Sequence, residues 1–291
     1  MAVTQAWTVA AASPDLSWTL DPGPILLAVG LLALYVQRWR TVRREHGPSA
    51  APVIRLALAL TAALLILVAL VSPLDVLAEQ SLACHMVQHV ILLDIIPICV
   101  MGSLTKILLR PLTRRMLAVE RAAGPLGHPA FAAALYVAMM WVWHIPALYD
   151  QALESPVVHA FEHVCFLSAG LLYWWHLLSP IRSRFHGGVM APIAYMLSTK
   201  LAVGILGIGL TFATHPLYAY YDHRTPILGL TPESDQQVAG AIMALEQTLV
   251  MGIALAYLLV RALEQSEREE RRRERLQDER DELSSHEVRR S

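Results

Sequence analysis

Seven long apolar runs in succession constrain this sequence more than any other feature. They lie at about residues 24–39, 53–71, 85–103, 130–145, 157–178, 190–214 and 237–260. Most of them approach the roughly 20 residues with which a helix crosses about 30 Å of hydrocarbon. The fourth run is short, and Pro146 helps to end it. Because the runs are continuous rather than alternating, they predict membrane-spanning helices and not the strands of a barrel.

The composition agrees with this interpretation. Hydrophobic residues make up 55% of the chain and charged residues only 16%, below the quarter that is usual in soluble domains. The net charge of -1 offers no basic excess for nucleic acid. Three cysteines, Cys84, Cys99 and Cys165, form no CxxC pair and suggest neither a disulfide framework nor a zinc ribbon. We therefore predict an all-α polytopic bundle of about seven helices that contacts the lipid bilayer and binds no nucleic acid.

Lys and Arg are concentrated in alternate loops, which indicates the orientation of the bundle. Of the 23 basic residues, all but Lys200 and Arg224 lie at the end of the first, third, fifth or seventh run or in the segment after it. Short basic loops are retained in the cytoplasm, so the amino terminus is predicted outside and the carboxyl terminus inside. Residues 1–22 contain no Lys or Arg and are interpreted as an outer tail. Residues 23–262 form the membrane domain, and residues 263–291 a charged cytoplasmic tail, either a solvated helix with i,i+4 pairs or partly disordered.

A short histidine motif, H-x-x-[QE]-H, opens two spans that enter from the same side. Its two copies are His85-Met86-Val87-Gln88-His89 and His159-Ala160-Phe161-Glu162-His163. Residues four apart share one face of a helix, so each pair offers two imidazoles to one metal ion or to adjacent ions. Gln88 and Glu162 lie near the same face as potential orienting partners. The alternative is that these histidines are interfacial and are satisfied by water and helix-end groups.

Further polar residues are predicted at the same outer surface. His144 ends span four, His215 ends span six, His223 follows it, and Asp235 opens span seven. Imidazole suits copper, zinc, iron and nickel, and the sulfur of Met86 would favour Cu(I), although Met also fills packing gaps and Asp commonly caps a helix. As a set these residues predict a metal-binding mouth. The candidate ligands are His85, His89, His144, His159, His163, His215, Met86 and Asp235.

Three ionisable residues, Asp94, Lys200 and Glu246, fall inside predicted spans. Charges at such depth face the bundle interior and pair with one another. Two interpretations remain open for them. They form a buried ion-pair network that holds three helices together, or they line a proton or ion path.

Four further stretches accompany the histidine pairs in a fixed order. They are Ser72-Pro73-Leu74-Asp75, Trp143-His144-Ile145-Pro146-Ala147-Leu148-Tyr149-Asp150, Pro216-Leu217-Tyr218 and Asp235-Gln236-Gln237-Val238-Ala239-Gly240. From about residue 50 to 260, the set resembles the CtaG family of membrane proteins for assembly of haem-copper cytochrome c oxidase, which is distinct from the single-span copper chaperone of the same name. Asp94 and the long charged tail depart from the family pattern.

The resemblance implies a multi-pass plasma-membrane protein that helps the oxidase to mature and handles copper at the outer face. Oxidase subunits or other assembly factors are the implied partners. On this basis we expect a non-enzymatic factor that binds copper through the outer histidines and delivers it.

Three alternatives remain. One is a haem-handling factor with axial histidines from spans three and five. A second is a membrane metallohydrolase, because the copy that contains Glu162 matches the H-x-x-E-H pattern of inverzincins, although the other copy has Gln88 in place of the base. A third is a transporter that uses the intramembrane charges, for which the sequence offers no inverted repeat.

Overall fold

The computed structural model describes residues 13–181, 190–222 and 227–288, and the regular elements in these ranges are helices. Within these ranges, six helices are long and apolar enough to cross a membrane, and a bent pair adds a seventh if the pair is one span. This confirms the predicted all-α, multi-pass bundle. The first twelve residues of the predicted outer tail, Arg182 and Arg184, and His223 and Arg224 lie outside the described residues.

The helices follow the predicted runs closely. They are α1 (Pro22–His46), α2 (Val53–Leu70), α3 (Pro73–Ala78), α4 (Leu82–Ser103), α5 (Lys106–Ala122), α6 (Pro129–Trp143), α7 (Pro146–Glu154), α8 (Pro156–Leu178), α9 (Ala191–Thr211), α10 (Ala219–Asp222) and α11 (Pro232–Val288). Side chains cap several of these helices, because the first N–H groups of a helix have no partner inside it. Ser72 caps α3 and Thr105 caps α5 in this way.

The fourth predicted run is broken into α6 and α7, which meet at an angle of 76°. The break falls at His144 and Ile145, directly before Pro146, whose ring and missing N–H prevent a helix from continuing. The short α7 then leads into α8. The bend leaves His144 buried among the helices, at the same end of the bundle as the start of α8.

Helix α4 contains a π-helical segment, Ile91–Ile95, below its two histidines. Pro97 follows this segment and removes one backbone donor. Here α4 lies so close to α8 that a Cβ on Gly170 would be 2.0 Å from the carbonyl oxygen of Leu93. Only glycine permits this approach. The two helices that carry the histidine pairs are therefore held together just beneath those pairs.

The three intramembrane charges are arranged differently from an ion-pair network. The Asp94 carboxylate is buried and accepts hydrogen bonds from the Tyr136 hydroxyl, at 2.8 and 3.0 Å to its two oxygens, and from Trp174 Nε1 at 2.7 Å. Lys200 is half-buried, and within the described residues its amine forms no ion pair within 4.0 Å. Asp94 also forms a hydrogen bond with the side chain of Glu246, so two of the three residues do meet, but through a hydrogen bond between carboxyl groups and not through the predicted cation.

Two basic segments at the opposite end of the bundle are helical. The loop between spans three and four contains the amphipathic helix α5. Helix α11 continues from its span into the charged tail, where Arg268 pairs with Glu264 at 3.1 Å and Arg271 with Glu267 at 3.8 Å. These are the i,i+4 pairs that the sequence suggested. The helical alternative for the tail is therefore the one observed as far as Val288.

Candidate metal centre

The starts of α4, α8 and α11 meet the end of α6 at one end of the bundle. Asp235, in the first turn of α11, joins two of these elements. Its carboxylate accepts hydrogen bonds from Ser81 Oγ at 2.8 Å, from the Leu82 amide at 2.7 Å and from the Ala83 amide at 3.1 Å. A carboxylate at a helix amino terminus satisfies unpaired N–H groups and interacts favourably with the helix dipole. Asp235 therefore holds the beginning of α4 in place.

Four side chains form a buried cluster at this end, which we call the four-ligand cluster: His85, His89, Glu162 and His163. One ligand atom from each lies within 4.8 Å of those of the other three, and the residues have exposed fractions of 0%, 2%, 0% and 9%. Two copies of one helical motif thus contribute two residues each. The first motif contributes the predicted pair His85 and His89, four residues apart on one helix face, whereas the second contributes the adjacent residues Glu162 and His163 instead of the predicted pair His159 and His163.

The distances from Glu162 to two histidines are close to those of a shared metal ion, whereas the two imidazoles are at hydrogen-bond distance. His85 Nε2 lies 2.7 Å from His89 Nε2, so one ring donates to the other. The two carboxylate oxygens of Glu162 lie 3.5 Å from His89 Nε2 and 3.8 Å from His85 Nε2. Two ligand atoms of one tetrahedral ion, each about 2.0–2.2 Å from it, are about 3.3–3.6 Å apart. Small side-chain rotations would therefore bring these atoms into a coordination sphere.

Several polar atoms of the cluster are buried without a hydrogen-bond partner. They include both carboxylate oxygens of Glu162, Nε2 of His163 and Nδ1 of His89. Burying a polar atom without a hydrogen-bond partner destabilises the folded state by about 1–3 kcal/mol, and by more when the atom belongs to a charged group. A cation would satisfy the carboxylate and the imidazole lone pairs together. The donor set of three nitrogens and a carboxylate suits copper, zinc, iron or nickel.

His159, His144 and Met86 adjoin the cluster. The His159 ring is half-buried, and its centroid is 4.2 Å from that of His163 and 5.3 Å from that of His85. The buried His144 ring has its centroid 6.1 Å from that of His89, and its Nε2 is 3.3 Å from the sulfur of Met86. All three predicted ligands thus lie beside the cluster.

The structure does not bring His215 or the carboxylate of Asp235 into the cluster. His215 lies beyond the end of α9 with an exposed side chain, and its carbonyl accepts a hydrogen bond from Gln236. The oxygens of Asp235 are occupied at the start of α4, as described above. Of the eight predicted ligands, six are therefore gathered at the centre and two are not.

Gln88 and Glu162 occupy the same position in the two motifs but have different surroundings. Gln88 is buried, and its Nε2 donates to the Ala69 carbonyl at 2.7 Å and to Asp75 Oδ1 at 2.9 Å. These two bonds tie α4 to α2 and α3. The pKa of Asp75 is raised because the carboxyl is partly buried, and the hydrogen bond from Gln88 acts in the opposite direction with a smaller effect. Glu162 instead joins the ligand atoms. The position of Glu162 between His159 and His163 in the sequence is a signal that it could be a ligand. The sequence pattern, however, predicted only an orienting partner or a catalytic base at this position.

A layer of three tyrosines, Tyr149, Tyr218 and Tyr221, lies against the cluster. The Tyr149 ring centroid is 5.1 Å from that of His85 and 4.2 Å from that of Tyr218. The Tyr149 hydroxyl is 3.3 Å from that of Tyr221, which donates to the Ala78 carbonyl at 2.8 Å. Sequence reasoning gave these residues no role, although two of them lie in the stretches that resemble the CtaG family. Tyr149 packs directly against His85, and the other two tyrosines contact Tyr149.

Comparison with known proteins gave one family. The model of the cytochrome c oxidase caa3 assembly factor family, Caa3_CtaG, matches residues 33–265 and so includes every residue of the cluster. A search of curated proteins and a search of solved structures gave no significant match. Since the family match covers most of the chain, this multi-pass membrane protein belongs to the cytochrome c oxidase caa3 assembly factor family.

Proposed function

We propose that this protein binds copper at the four-ligand cluster and delivers it to a cytochrome c oxidase subunit, or to another assembly factor, without catalysing a reaction. The main observation that supports this proposal is the buried group of three imidazoles and a carboxylate, in which several oxygens and nitrogens have no hydrogen-bond partner. The family supplies the context of oxidase assembly. Copper is the cargo in this proposal and not a permanent cofactor.

Copper is favoured over the other metals on two grounds. Sites built of nitrogen and oxygen bind copper more tightly than the other divalent first-row metals. The sulfur of Met86 lies close to the cluster, and soft sulfur ligands select Cu(I). Both oxidation states therefore find ligands at this end of the bundle.

The cluster faces the outside of the plasma membrane in this proposal. It lies at the start of α4, whereas Lys106 and the basic helix α5 follow the other end of the same helix. The 22 residues of α4 span about 33 Å at 1.5 Å per residue, the thickness of the hydrocarbon core. Basic residues at the far end favour a cytoplasmic position for that end. A reporter that is active only in the cytoplasm is expected to be active when fused at Arg115 and inactive when fused at Glu154. The reverse result would place the cluster on the cytoplasmic side of the membrane.

A haem ligand is less compatible with the packing. The ring centroids of His85 and His163, one histidine from each motif, are 6.5 Å apart, and the cavity next to the cluster measures about 10 Å³. That volume corresponds to about one water molecule, far less than a macrocycle requires. A metallohydrolase is disfavoured as well, because Glu162 lies among the ligand atoms while His159 is outside the four-ligand cluster.

The copper content of detergent-purified protein tests the proposal. Wild-type protein exposed to copper and then desalted is expected to retain the metal. The double variant His85→Ala with His163→Ala should lose it, because two of the four ligands are gone. His215→Ala is the matched control, since it removes a histidine that the structure places outside the cluster. Equal copper in the double variant and the control, or none in the wild type, would contradict the proposal.

A further inference from the structure

A small cavity lies beside the four-ligand cluster, inside the bundle. Among its lining residues are Met86, Met140 and Met243, which come from α4, α6 and α11. Their exposed fractions are 0%, 5% and 3%. The cavity measures about 10 Å³, which is close to the space that a single water-sized occupant needs. Three buried methionines from three helices therefore line a space for one small ligand.

We infer that this cavity is a second binding site, for Cu(I), formed by the thioethers of Met86, Met140 and Met243, with the imidazole of His144, which contacts Met86 from outside the cavity lining, as a further ligand. The inference rests on the proposed copper function and extends it, because it assigns an oxidation state to the cargo and a second position within the bundle. Copper enters and leaves as Cu(I), so no electron transfer is required.

The contact between His144 and Met86 is the first argument for a cation here. His144 Nδ1 lies 2.6 Å from the Met140 carbonyl oxygen, which only accepts, so Nδ1 carries the hydrogen. In the neutral ring Nε2 then has a lone pair, and it faces the Met86 sulfur at 3.3 Å. A thioether has no hydrogen to donate. Two electron-pair donors thus face each other, and a bound cation would turn this unfavourable contact into a favourable one.

The separation of those two atoms also fits a shared metal ion. A nitrogen at about 2.0 Å and a sulfur at about 2.3 Å from one tetrahedral ion are about 3.5 Å apart. The observed distance of 3.3 Å needs little adjustment. The hydrogen bond from Nδ1 to the backbone fixes the tautomer and the ring orientation, as is common for histidines that bind metals.

An unpartnered oxygen in the cavity lining provides a second, independent argument. Gln247 Oε1 is buried and accepts no hydrogen bond, and this residue lines the cavity together with Glu246 and Asp94, whose side chains bond to each other. Gln247 Nε2 donates to Glu246 Oε2 at 2.6 Å, so the Gln247 side chain is held in place. An occupant with positive charge would satisfy the oxygen of Gln247. Thioethers select soft Cu(I) over Zn²⁺ or Mg²⁺.

The two sites are joined through His89. This residue belongs to the four-ligand cluster and also lines the cavity. An ion bound in the cluster can therefore exchange its ligands one at a time, first gaining His144 and the sulfur of Met86 and then losing His85 and His163. Such stepwise exchange moves a tightly bound ion without releasing it into water. The cavity is thus the next position of copper after the cluster.

X-ray absorption at the copper edge tests this inference on full-length protein in detergent, loaded with Cu(I) without oxygen. Wild-type protein should show nitrogen or oxygen neighbours together with sulfur at about 2.3 Å. The double variant Met86→Leu with Met243→Leu should lose at least about half of the sulfur signal and keep the nitrogen signal. Leucine fills nearly the same volume as methionine and preserves packing. Met196→Leu is the control, because this methionine is equally buried but lies away from the cavity.

Each result has a distinct meaning. Copper with nitrogen neighbours but no sulfur in the wild type would overturn the second site and leave the four-ligand cluster standing. A sulfur signal that survives in the double variant would place the sulfur elsewhere and also overturn the site. The absence of bound copper would overturn both proposals. If the double variant does not accumulate, the wild-type spectrum and Met140→Leu decide the question.

Discussion

Asp94 on α4 and Glu162 on α8 are both buried carboxylates on helices that touch, but their hydrogen bonding is opposite. Asp94 accepts hydrogen bonds from the Tyr136 hydroxyl, which is shared between its two oxygens, and from the Trp174 N–H. Glu162 accepts none, and its oxygens face imidazole nitrogens at 3.5 and 3.8 Å. A carboxylate whose bonds are complete stabilises the fold, whereas one whose bonds are missing is available to a ligand. The difference separates a structural site from a binding site within one bundle.

The largest effect is expected from removing the satisfied carboxylate. Asp94→Ala leaves the Tyr136 hydroxyl and the Trp174 N–H buried without an acceptor, at about 1–3 kcal/mol each. Thermal unfolding in detergent should occur at a clearly lower temperature, and the protein should accumulate less. Copper bound at the four-ligand cluster per folded chain should be unchanged, because Asp94 is not a member of that cluster. A variant with normal stability would show that Asp94 is not structural, and the comparison would fail.

Removing the unsatisfied carboxylate should have the reverse consequence. Glu162→Gln keeps the size of the side chain but removes the charge of a ligand. Copper affinity should fall by about 100-fold or more, because residues that only support the ligands already contribute about 10- to 100-fold. Thermal stability should be equal to or higher than that of the wild type. Titration with a competing chelator measures the affinity. A loss of stability as large as that in Asp94→Ala would mean that the two carboxylates play the same role.

The cluster should also respond as a unit. His89→Ala and His163→Ala are each expected to weaken copper binding by at least about tenfold, and the double variant should be little worse than either one, because residues of one site are not additive. The same chelator titration, applied to the two single variants and the double variant, gives the coupling free energy between His89 and His163 in copper binding. Additive losses would instead indicate two separate sites, one on each helix.

The smallest effect is expected at Gln88, which supports the cluster from outside. Gln88→Ala removes the bonds to Ala69 and Asp75 and so loosens the start of α4, and copper affinity should fall by about tenfold without a change in the amount bound at saturation. The matched substitution on the other motif, Glu162→Ala, should abolish high-affinity binding. Identical results for the two variants would remove the distinction between the two motifs.

Local sequence patterns predicted much of the fold because each span is a property of its own residues. The apolar runs fixed the helices, Pro146 marked the break, and the spacing of four placed each histidine pair on one face. What these patterns could not contain is contact between distant segments. Asp94 finds Tyr136 and Trp174 at separations of 42 and 80 residues, and these partners replace the cation that Lys200 was expected to supply.

The candidate site was predictable to the same extent and for the same reason. His85, His89, His159 and His163 were identified because they belong to a repeated local motif. His215 stays outside because the chain leaves the helical path after Thr211, so its side chain is not directed by the preceding span. Asp235 caps a helix that begins 153 residues before it, a contact that no local pattern reveals. Met140 and Met243 resemble ordinary core residues until the helices are assembled.

The π-helical segment of α4 has a consequence for how this helix tolerates changes in length. A π turn behaves as an α-helix with one inserted residue, and each residue of an α-helix turns the chain by about 100°. Deleting one residue within Ile91–Ile95 would restore regular α geometry and rotate the half that carries His85 and His89 by about that angle relative to the half that follows. The two imidazoles would then point away from α8. The rotation of one half of this span relative to the other, about the helix axis, is thus set by a single additional residue.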